Sequence, residues 1–304
     1  MELTVRPIAR GEYAKLGVAI CVACASSMRQ CIHSWSGDSP EGVSAGLLAT
    51  LSDGELAYLG AFRGQTLVAA MGAEFDEELG RAWLHGPHLF ETGLESETAA
   101  AALSVLYERL MAALPGCVRQ WDAYPHVDNA QAREFYEDRG FVAKAVASYE
   151  YGALAGTLAI GEDTGIGLLR RECEGAFSSL FDRLFPGTYY SAERILAMRG
   201  PRFALLALGE GKSLDGFAVA ALGEGGKGEI HFIGVEPGAR GRGYGRRLLR
   251  AAYAWLTLGA GADDVVLNVS GENAARSLYE SEGFTLRCAG LSLRKWRDCD
   301  KSKG

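Results

Sequence analysis

A loop rich in glycine and arginine is the segment of this 304-residue sequence whose residue types point most directly to chemistry. It follows a predicted strand that ends at Val235, and it runs into a predicted amphipathic helix from about Gly243 to Leu258. Its letters are Ile233-Gly-Val-Glu-Pro-Gly-Ala-Arg240-Gly-Arg-Gly243-Tyr-Gly245-Arg-Arg-Leu-Leu249. Glycine lets a backbone approach an anion, amide N–H groups at a helix start bind phosphate, and arginine adds charged donors. The loop therefore indicates a phosphate-binding site.

Other kinds of glycine-rich loop fit this segment less well. A dinucleotide-binding loop needs Gly-x-Gly-x-x-Gly, whereas Gly241, Gly243 and Gly245 alternate with single residues. Asp263 and Asp264 precede the next predicted strand instead of ending it, so no ribose partner is placed. A P-loop is excluded because no Gly-Lys-Ser/Thr follows. A glycine-rich turn on a solvated basic helix remains the alternative without a ligand.

Strands and helices alternate on both sides of this loop. The predicted helices are Cys173–Leu184, Ser191–Met198 with Ser191 as N-cap, Gly243–Leu258 and one that contains Tyr279. The predicted strands are Phe203–Leu208, Phe217–Leu222, Glu229–Val235, Val265–Val269 and one that begins at Phe284. This order predicts an α/β domain with a mixed sheet.

An internal repeat extends this prediction to the first half of the chain. Asn129-Ala-Gln-Ala-Arg-Glu-Phe-Tyr136-Glu-Asp-Arg-Gly140-Phe141 recurs as Asn273-Ala-Ala-Arg-Ser-Leu-Tyr279-Glu-Ser-Glu-Gly283-Phe284. The Tyr, Gly and Phe positions share one offset of 143 residues. In each copy a helix ends at glycine and Phe opens a strand. The repeat predicts two similar domains, at 1–152 and 156–304, with the boundary in the glycine-rich segment Gly152–Gly167.

The loop and the repeat together resemble the GNAT superfamily of N-acetyltransferases. Arg240-Gly-Arg-Gly243-Tyr-Gly245 is similar to the Gln/Arg-x-x-Gly-x-Gly/Ala signature of that family, and Val235-Glu-Pro237 and Leu278-Tyr-Glu-x-x-Gly-Phe284 resemble its neighbouring elements. The resemblance is strongest over Glu229–Phe284. It implies two tandem GNAT-like acyl-CoA N-acyltransferase domains, each a mixed central sheet flanked by helices.

The resemblance also implies a role for each element of the loop. Backbone amides of Gly241–Arg246 would hold the pyrophosphate of acetyl-CoA, and the edge of strand Ile233–Val235 would pair with its pantetheine arm. The implied cofactor-binding residues are Ile233, Gly234, Val235, Arg240, Gly241, Arg242, Gly243, Tyr244, Gly245, Arg246 and Asn273. The amide of Val235 would polarise the thioester carbonyl. Asn273 lies six residues before Tyr279, whereas the family spacing is seven.

Three residues carry the implied proton transfers. Tyr279 matches the family tyrosine that protonates the departing thiolate, and the alternative for Tyr279 is a core tyrosine. Glu229 matches the position of a catalytic carboxylate in some members and would act as a base through a water. His231, two residues further along the same strand, is the second candidate base. Alternatively, Glu229 and His231 only line the acceptor pocket, and bulk solvent deprotonates the amine.

The first copy departs from the family at the cofactor loop. After Arg81-Ala-Trp-Leu84 the chain reads Gly86-Pro-His-Leu-Phe-Glu-Thr-Gly-Leu-Glu-Ser-Glu-Thr98, without Arg-x-x-Gly-x-Gly. Glu91, Glu95 and Glu97 gather where a pyrophosphate would lie, and carboxylates repel phosphate. This copy is expected to lack acetyl-CoA and to serve as a structural partner or as a wall of the acceptor site. Trp83, His85 and His88 could line such a pocket, although core packing is the more common role.

Composition limits the remaining function classes. The formal net charge of -7 argues against broad nucleic-acid binding, and no apolar run reaches the roughly 20 residues of a membrane span. Seven scattered cysteines fit reduced thiols in the cytoplasm. Cys21, Cys24, Cys31 and His33 lack finger spacing, so no metal site is expected.

The sequence therefore predicts a cytoplasmic N-acetyltransferase, a monomer or homodimer. It would transfer the acetyl group of acetyl-CoA directly to a primary amine of a small molecule or peptide. Cys288 has no histidine placed near it by the sequence, so a covalent thiol intermediate is not expected. The alternatives are an acyl-CoA-binding sensor or scaffold without transferase activity, and an enzyme that uses a longer acyl donor.

Overall fold

The computed structural model describes residues 3–31, 39–90, 96–160, 165–209, 213–223, 226–271 and 273–297, and for residues 144–147 only the backbone. The chain divides into two compact units. Unit 1 comprises Met1–Tyr149, Ser270–Glu272 and Cys288–Gly304, and unit 2 comprises Glu150–Val269 and Asn273–Arg287. Among the described residues, no helix combines the length and the apolar character that a membrane crossing requires.

Unit 1 is a mixed sheet with helices on both faces. Its elements are β1 (Leu3–Pro7), α1 (Tyr13–Cys24), α2 (Pro40–Ser52), β2 (Leu56–Arg63), β3 (Thr66–Asp76), β4 (Arg81–Leu89), α3 (Ser96–Ala113), β5 (Gln120–Ala123), α4 (Ala130–Glu137), most of β6 (Val142–Leu154) and most of β12 (Thr285–Trp296). The strands β1, β2, β3, β4, β5 and β12 are neighbours in that order. The β4–β5 pair is parallel, and the other pairs in this series are antiparallel.

Two clusters of buried side chains fix the helices of unit 1. On one face α1 and α2 contribute Leu16, Ile20 and Leu47 to a cluster that includes Tyr58 of β2. On the other face Leu103 and Leu106 of α3 pack with strand residues and with Tyr136 of α4. Short polar side chains start two of these helices, since Ser39 and Asn129 each accept a backbone N–H bond from the first turn.

Unit 2 has the same kind of architecture. Its elements are the end of β6, β7 (Ile166–Leu168), α5 (Glu174–Leu184), α6 (Ala192–Met198), β8 (Phe203–Leu208), β9 (Gly216–Leu222), β10 (Lys227–Val235), α7 (Tyr244–Ala254), a π-helical turn (Trp255–Gly259), β11 (Asp264–Ser270), α8 (Arg276–Ser281) and the first residues of β12. The strands follow the order β6, β11, β10, β9, β8 and β7. The β10–β11 pair is parallel, and the pairs β10–β9, β9–β8 and β8–β7 are antiparallel.

Amphipathic helices cover the unit 2 sheet. Phe177, Phe181 and Ile195 of α5 and α6 pack with Leu205 and Val219 of the sheet. Helix α7 alternates arginines with a buried stripe, which consists of Leu248, Leu249, Ala252 and Tyr253. The predicted N-cap of α6 is confirmed, because the Ser191 side chain accepts the Arg194 backbone N–H at 3.1 Å.

Some element boundaries differ from those predicted. The apolar composition of Leu16–Met28 is compatible with a single helix, but α1 ends at Cys24 and Ser26 adopts an extended conformation. The helix predicted to reach Leu258 loses its α-helical hydrogen bonding after Ala254, where the π-helical turn begins.

The two units also differ in extent from the two sequence copies. Cys288–Gly304 belongs to unit 1, since Leu293–Trp296 of β12 pair with Gln120–Ala123 of β5. The division into copies at 1–152 and 156–304 remains a proposal about the repeat.

Candidate active site

A divergence of two strands creates the candidate site in unit 2. Strand β10 pairs with β11 only over Lys227–Ile230, whereas its pairing with β9 continues to Val235. No described strand pairs with residues 231–235 on the β11 side. Backbone groups of successive strand residues alternate between the two edges, so only part of the N–H and C=O groups of Ile233–Val235 are open to a ligand along that edge.

The start of α7 faces this opening. Gly243 is the N-cap of α7 with φ of +79°, and Gly241 has φ of +78°. A Cβ at either position would meet no atom within 4 Å, so glycine is required there by the backbone conformation and not by lack of space. The first turn of a helix has unpaired N–H groups and a partial positive charge, which together bind anions.

A groove of about 590 Å³ lies where the strand edge and the helix start meet. It is lined by Leu184, Phe185, Ile233, Gly234, Val235, Arg240, Gly241, Gly243, Tyr244, Gly245, Arg246, Asn273, Ala274, Ala275, Leu278 and Tyr279. The groove thus brings together all of the cofactor-binding residues predicted from the sequence except Arg242, whose side chain is exposed outside it. Sequence reasoning missed Phe185 and the apolar lining residues Leu184, Ala274, Ala275 and Leu278. The run of aromatic residues after α5 was the signal that could have pointed to Phe185.

The arginines of the loop differ in their partners. Arg246 makes an ion pair of 2.7 Å with Glu282, whose other carboxylate oxygen binds Arg250 at 2.5 Å. The Glu282 side chain is 5% exposed, so the pair is shielded from water on the carboxylate side. Arg240 reaches the Val235 carbonyl oxygen at 3.4 Å. The groove is therefore bordered by cations, one of which is held in place by a buried carboxylate.

Tyr279 lines the groove from α8. It is 9% exposed, and its ring packs against Tyr151 and Phe284. Burial raises the pKa of Tyr279 to about 12, so the phenol keeps its proton at neutral pH. No described residue hydrogen-bonds its hydroxyl. The arrangement offers a neutral O–H donor to a group in the groove.

Glu229 and His231 lie further back along β10 and do not line the groove. The Glu229 carboxylate oxygen Oε1 lies 3.5 Å from His231 Nδ1, so the two side chains share a face as predicted. The register of β10 against β9 shifts between Ile230 and Phe232, which makes His231 the extra residue of a β-bulge. Phe232 consequently packs into the α5–α6 cluster on the same side as His231.

Unit 1 has its own groove beside β4, of about 370 Å³. It is lined by Ser26, Met28, Arg29, Pro87, Leu89, Leu103, Asp128, Asn129, Ala130, Gln131 and Ala132. The Arg29 guanidinium donates to the Leu89 carbonyl oxygen, and Pro87 has no N–H to offer. The edge of β4 is thereby partly occupied by protein.

The aromatic and acidic residues singled out in the first copy have separate locations. His85 and His88 are buried, and burial lowers the pKa of each to about 3. Trp83 lies under the Arg81 guanidinium at 4.9 Å. Glu97 is exposed in the first turn of α3, whereas Glu91, Glu95 and also His33 lie outside the described residues.

Known proteins resemble part of this chain in sequence and nearly all of it in structure. A family described as acetyltransferase (GNAT) domain matches residues 201–286. A mycothiol acetyltransferase of Beutenbergia cavernae is 56% identical over 59 residues, which cover 19% of this chain and 20% of that protein. The N-alpha-acetyltransferase RimI of Mycobacterium tuberculosis is 44% identical over 70 residues, 23% of this chain and 40% of that protein. The chain thus spans about a fifth of the length of the mycothiol acetyltransferase.

Solved structures show the fold over nearly the whole chain. A GCN5-related N-acetyltransferase from Sphaerobacter thermophilus has a TM-score of 0.70 at 17% identity and covers 97% of this chain and 95% of its own. A tandem GNAT protein from the clavulanic acid biosynthesis pathway has a TM-score of 0.66 at 13% identity. The match covers 97% of this chain and 98% of that protein. The predicted fold class, a tandem of GNAT-like α/β domains, is therefore confirmed.

Proposed function

We propose that unit 2 transfers the acetyl group of acetyl-CoA directly to a primary amine, because residues 201–286 match a family described as acetyltransferase (GNAT) domain. The observation that carries the proposal is the groove itself. It combines an open strand edge, a helix start and a protonated tyrosine in one place.

The groove fits the chemistry of an acyl-coenzyme A. Its pyrophosphate would accept hydrogen bonds from backbone amides of Gly241–Arg246, with Arg240 and Arg246 as charged neighbours. Pantetheine amides would pair with the edge of Ile233–Val235 as an added strand does, and Asn273 would line the same arm. The bound cosubstrate supplies an activated thioester, and the Val235 N–H would stabilise charge that develops on the carbonyl oxygen.

Two proton transfers complete the reaction. The amine must lose a proton before it attacks, and we assign this to the Glu229–His231 pair, with Glu229 acting through water or His231 acting directly. Tyr279 would donate its hydroxyl proton toward the departing sulfur. Its raised pKa favours this role because the donor stays protonated across the working pH range.

The acceptor is proposed to be a small molecule or a peptide. The names of the partial relatives support this range, since one refers to mycothiol and the other to N-alpha-acetylation. A cytoplasmic location and a monomeric or homodimeric state remain parts of the proposal. So does the interpretation of the first copy as degenerate, which is supported by Arg29 at the β4 edge and by the absence of Arg-x-x-Gly-x-Gly.

Calorimetric titration with acetyl-CoA tests the proposal. One equivalent should bind, and Gly245→Leu should abolish binding because its side chain would project into the groove from the first turn of α7. Gly238→Leu is the matched control, since a Cβ there meets nothing within 4 Å and the residue does not line the groove.

A thioester-cleavage assay with a panel of amines then separates the functions. Amine-dependent release of thiol supports the transferase. Binding without cleavage by any amine would support an acyl-CoA sensor or scaffold. Failure of folded wild-type protein to bind acetyl-CoA would overturn both, and two bound equivalents would overturn the interpretation of the first copy.

A further inference from the structure

The His231 side chain is held by polar contacts at one ring nitrogen only, within the described residues. Its Nδ1 lies 3.2 Å from the Tyr189 hydroxyl and 3.5 Å from Glu229 Oε1. The ring stacks on Phe203, with centroids 6.0 Å apart and an interplanar angle of 23°, and the Tyr190 ring meets it edge-on at 5.6 Å. The imidazole is therefore fixed in position, and Nε2 is the nitrogen that no described residue hydrogen-bonds.

The Glu229 carboxylate biases which nitrogen carries the proton in the neutral ring, whereas the Tyr189 hydroxyl can either donate to Nδ1 or accept from it. A carboxylate only accepts hydrogen bonds, so a lone pair on Nδ1 would face the negative charge of Glu229. A proton on Nδ1 is instead attracted by that charge, and the Tyr189 oxygen can share it as a second acceptor. The Nδ1–H tautomer is favoured, which places the lone pair on Nε2.

Tyr189 is also physically connected to the groove. Its ring stacks on Phe232 at 5.1 Å, and Phe232 packs against Phe185 at 5.0 Å. Phe185 lines the groove from the segment that follows α5. Tyr189 thus lies in a packed aromatic group between the groove and His231.

We infer that Tyr189 is a positioning residue, which together with Glu229 holds the Nδ1–H tautomer of His231 so that Nε2 takes the proton of the acceptor ammonium. This inference rests on the proposed function. In the step, one N–H bond of the ammonium breaks, its electron pair stays on the amine nitrogen, and a new N–H bond forms at Nε2. The Glu229 carboxylate stabilises the resulting imidazolium, which later returns the proton to solvent. Tyr189 itself touches no reacting atom.

Tyr189→Phe tests this role because it keeps the ring and removes only the hydroxyl. We expect kcat to fall about tenfold, the size of one lost hydrogen bond, while KM for acetyl-CoA is unchanged. Tyr190→Phe is the matched control, since its ring contacts the imidazole at 5.6 Å, and it should leave kcat within about twofold. In the His231→Gln background, Tyr189→Phe should have no further effect, because the two residues act as a unit. An equal loss of kcat in that background would overturn the inference.

Nitrogen-15 NMR of the histidine rings provides a readout that does not depend on turnover. The signals of His231, assigned by their loss in His231→Gln, should show an unprotonated Nε2 in wild type and a tautomer mixture in Tyr189→Phe. Tyr190→Phe should match the wild type. An unprotonated Nδ1 in wild type, or identical spectra in wild type and Tyr189→Phe, would overturn the inference. If the tautomer shifts as expected but no amine is acetylated, the proposed function fails and the positioning by Tyr189 stands.

Discussion

Tyr136 and Tyr279 occupy the same position in the two copies of the repeated motif, yet their hydroxyl groups have different partners. Tyr136 donates to the Gly86 carbonyl oxygen at 2.7 Å and is fully buried. Among the described residues, none hydrogen-bonds the Tyr279 hydroxyl, which lies at the groove of unit 2. A residue type that is structural in one copy is thus available for chemistry in the other.

This difference predicts opposite effects of the same substitution. Tyr136→Phe leaves a buried carbonyl oxygen without its donor and should destabilise the protein by about 1–3 kcal/mol, without lowering kcat. Tyr279→Phe should change stability by less than about 0.5 kcal/mol and lower kcat about 100-fold. Chemical denaturation and steady-state kinetics measure the two effects. A normal kcat in Tyr279→Phe would assign this residue to the core.

Gly243 and Gly140 give a second matched pair, because both have φ of +79° and neither has an atom within 4 Å of an added Cβ. Alanine at either position should cost a similar 1–2 kcal/mol, roughly the penalty of the left-handed conformation. Gly243→Ala should also weaken acetyl-CoA binding at least about tenfold, since it shifts the amides at the start of α7. Equal calorimetric affinities of the two variants would contradict the assignment of the phosphate site to this loop.

The buried histidines of unit 1 predict acid sensitivity. Burial lowers the pKa of His85 and of His88 to about 3, whereas in the unfolded chain both titrate near 6.5. Between these values the unfolded state binds more protons at each histidine, so the contribution of each histidine to stability decreases as pH falls below about 6.5. Lowering the pH from 7.5 to 5 should reduce the contribution of each histidine to the free energy of unfolding by about 2 kcal/mol. His88→Gln should remove its share of this dependence, measured by urea denaturation at both pH values; an unchanged dependence would show that His88 is protonated in the fold.

The buried ion pairs of Asp122 predict a large loss of stability when this carboxylate is removed. Its side chain is 0% exposed, and its two oxygens bind Arg81 at 2.5 Å and Arg294 at 2.6 Å. Asp122→Asn leaves two guanidinium groups facing an amide and should cost about 3 kcal/mol or more. The exposed pair Arg133–Glu137 is the control, since Glu137→Gln should cost less than about 0.5 kcal/mol. Thermal unfolding measures both, and similar melting temperatures would contradict the structural role of Asp122.

Local signals in the sequence were sufficient for much of the fold. The strand Phe203–Leu208 was predicted with its observed bounds, and Ser191 was predicted as an N-cap, because burial pattern and capping are properties of a few adjacent residues. The groove-lining loop was recognised from glycine and arginine spacing, and the roles of its residues stay predictions.

Features that depend on distant residues could not be predicted. The β-bulge at His231 has no local marker, since the segment Ile230–Phe232 contains neither glycine nor proline. The bulge is defined only by the register of β10 against β9. The Arg29 contact with Leu89 joins positions 60 residues apart. Pairing of β12 with β5 brings together side chains such as Arg294 and Asp122, which are far apart in the chain.

The membership of β12 in unit 1 has a consequence for biosynthesis. Leu293 is fully buried in the unit 1 core, and the Lys295 ammonium donates to the Arg139 carbonyl oxygen at 2.7 Å. A ribosome makes these residues only after it has made all of the strands of unit 2. The first unit therefore emerges with one edge of β5 unpaired, and it can complete its sheet only after the second unit has been translated.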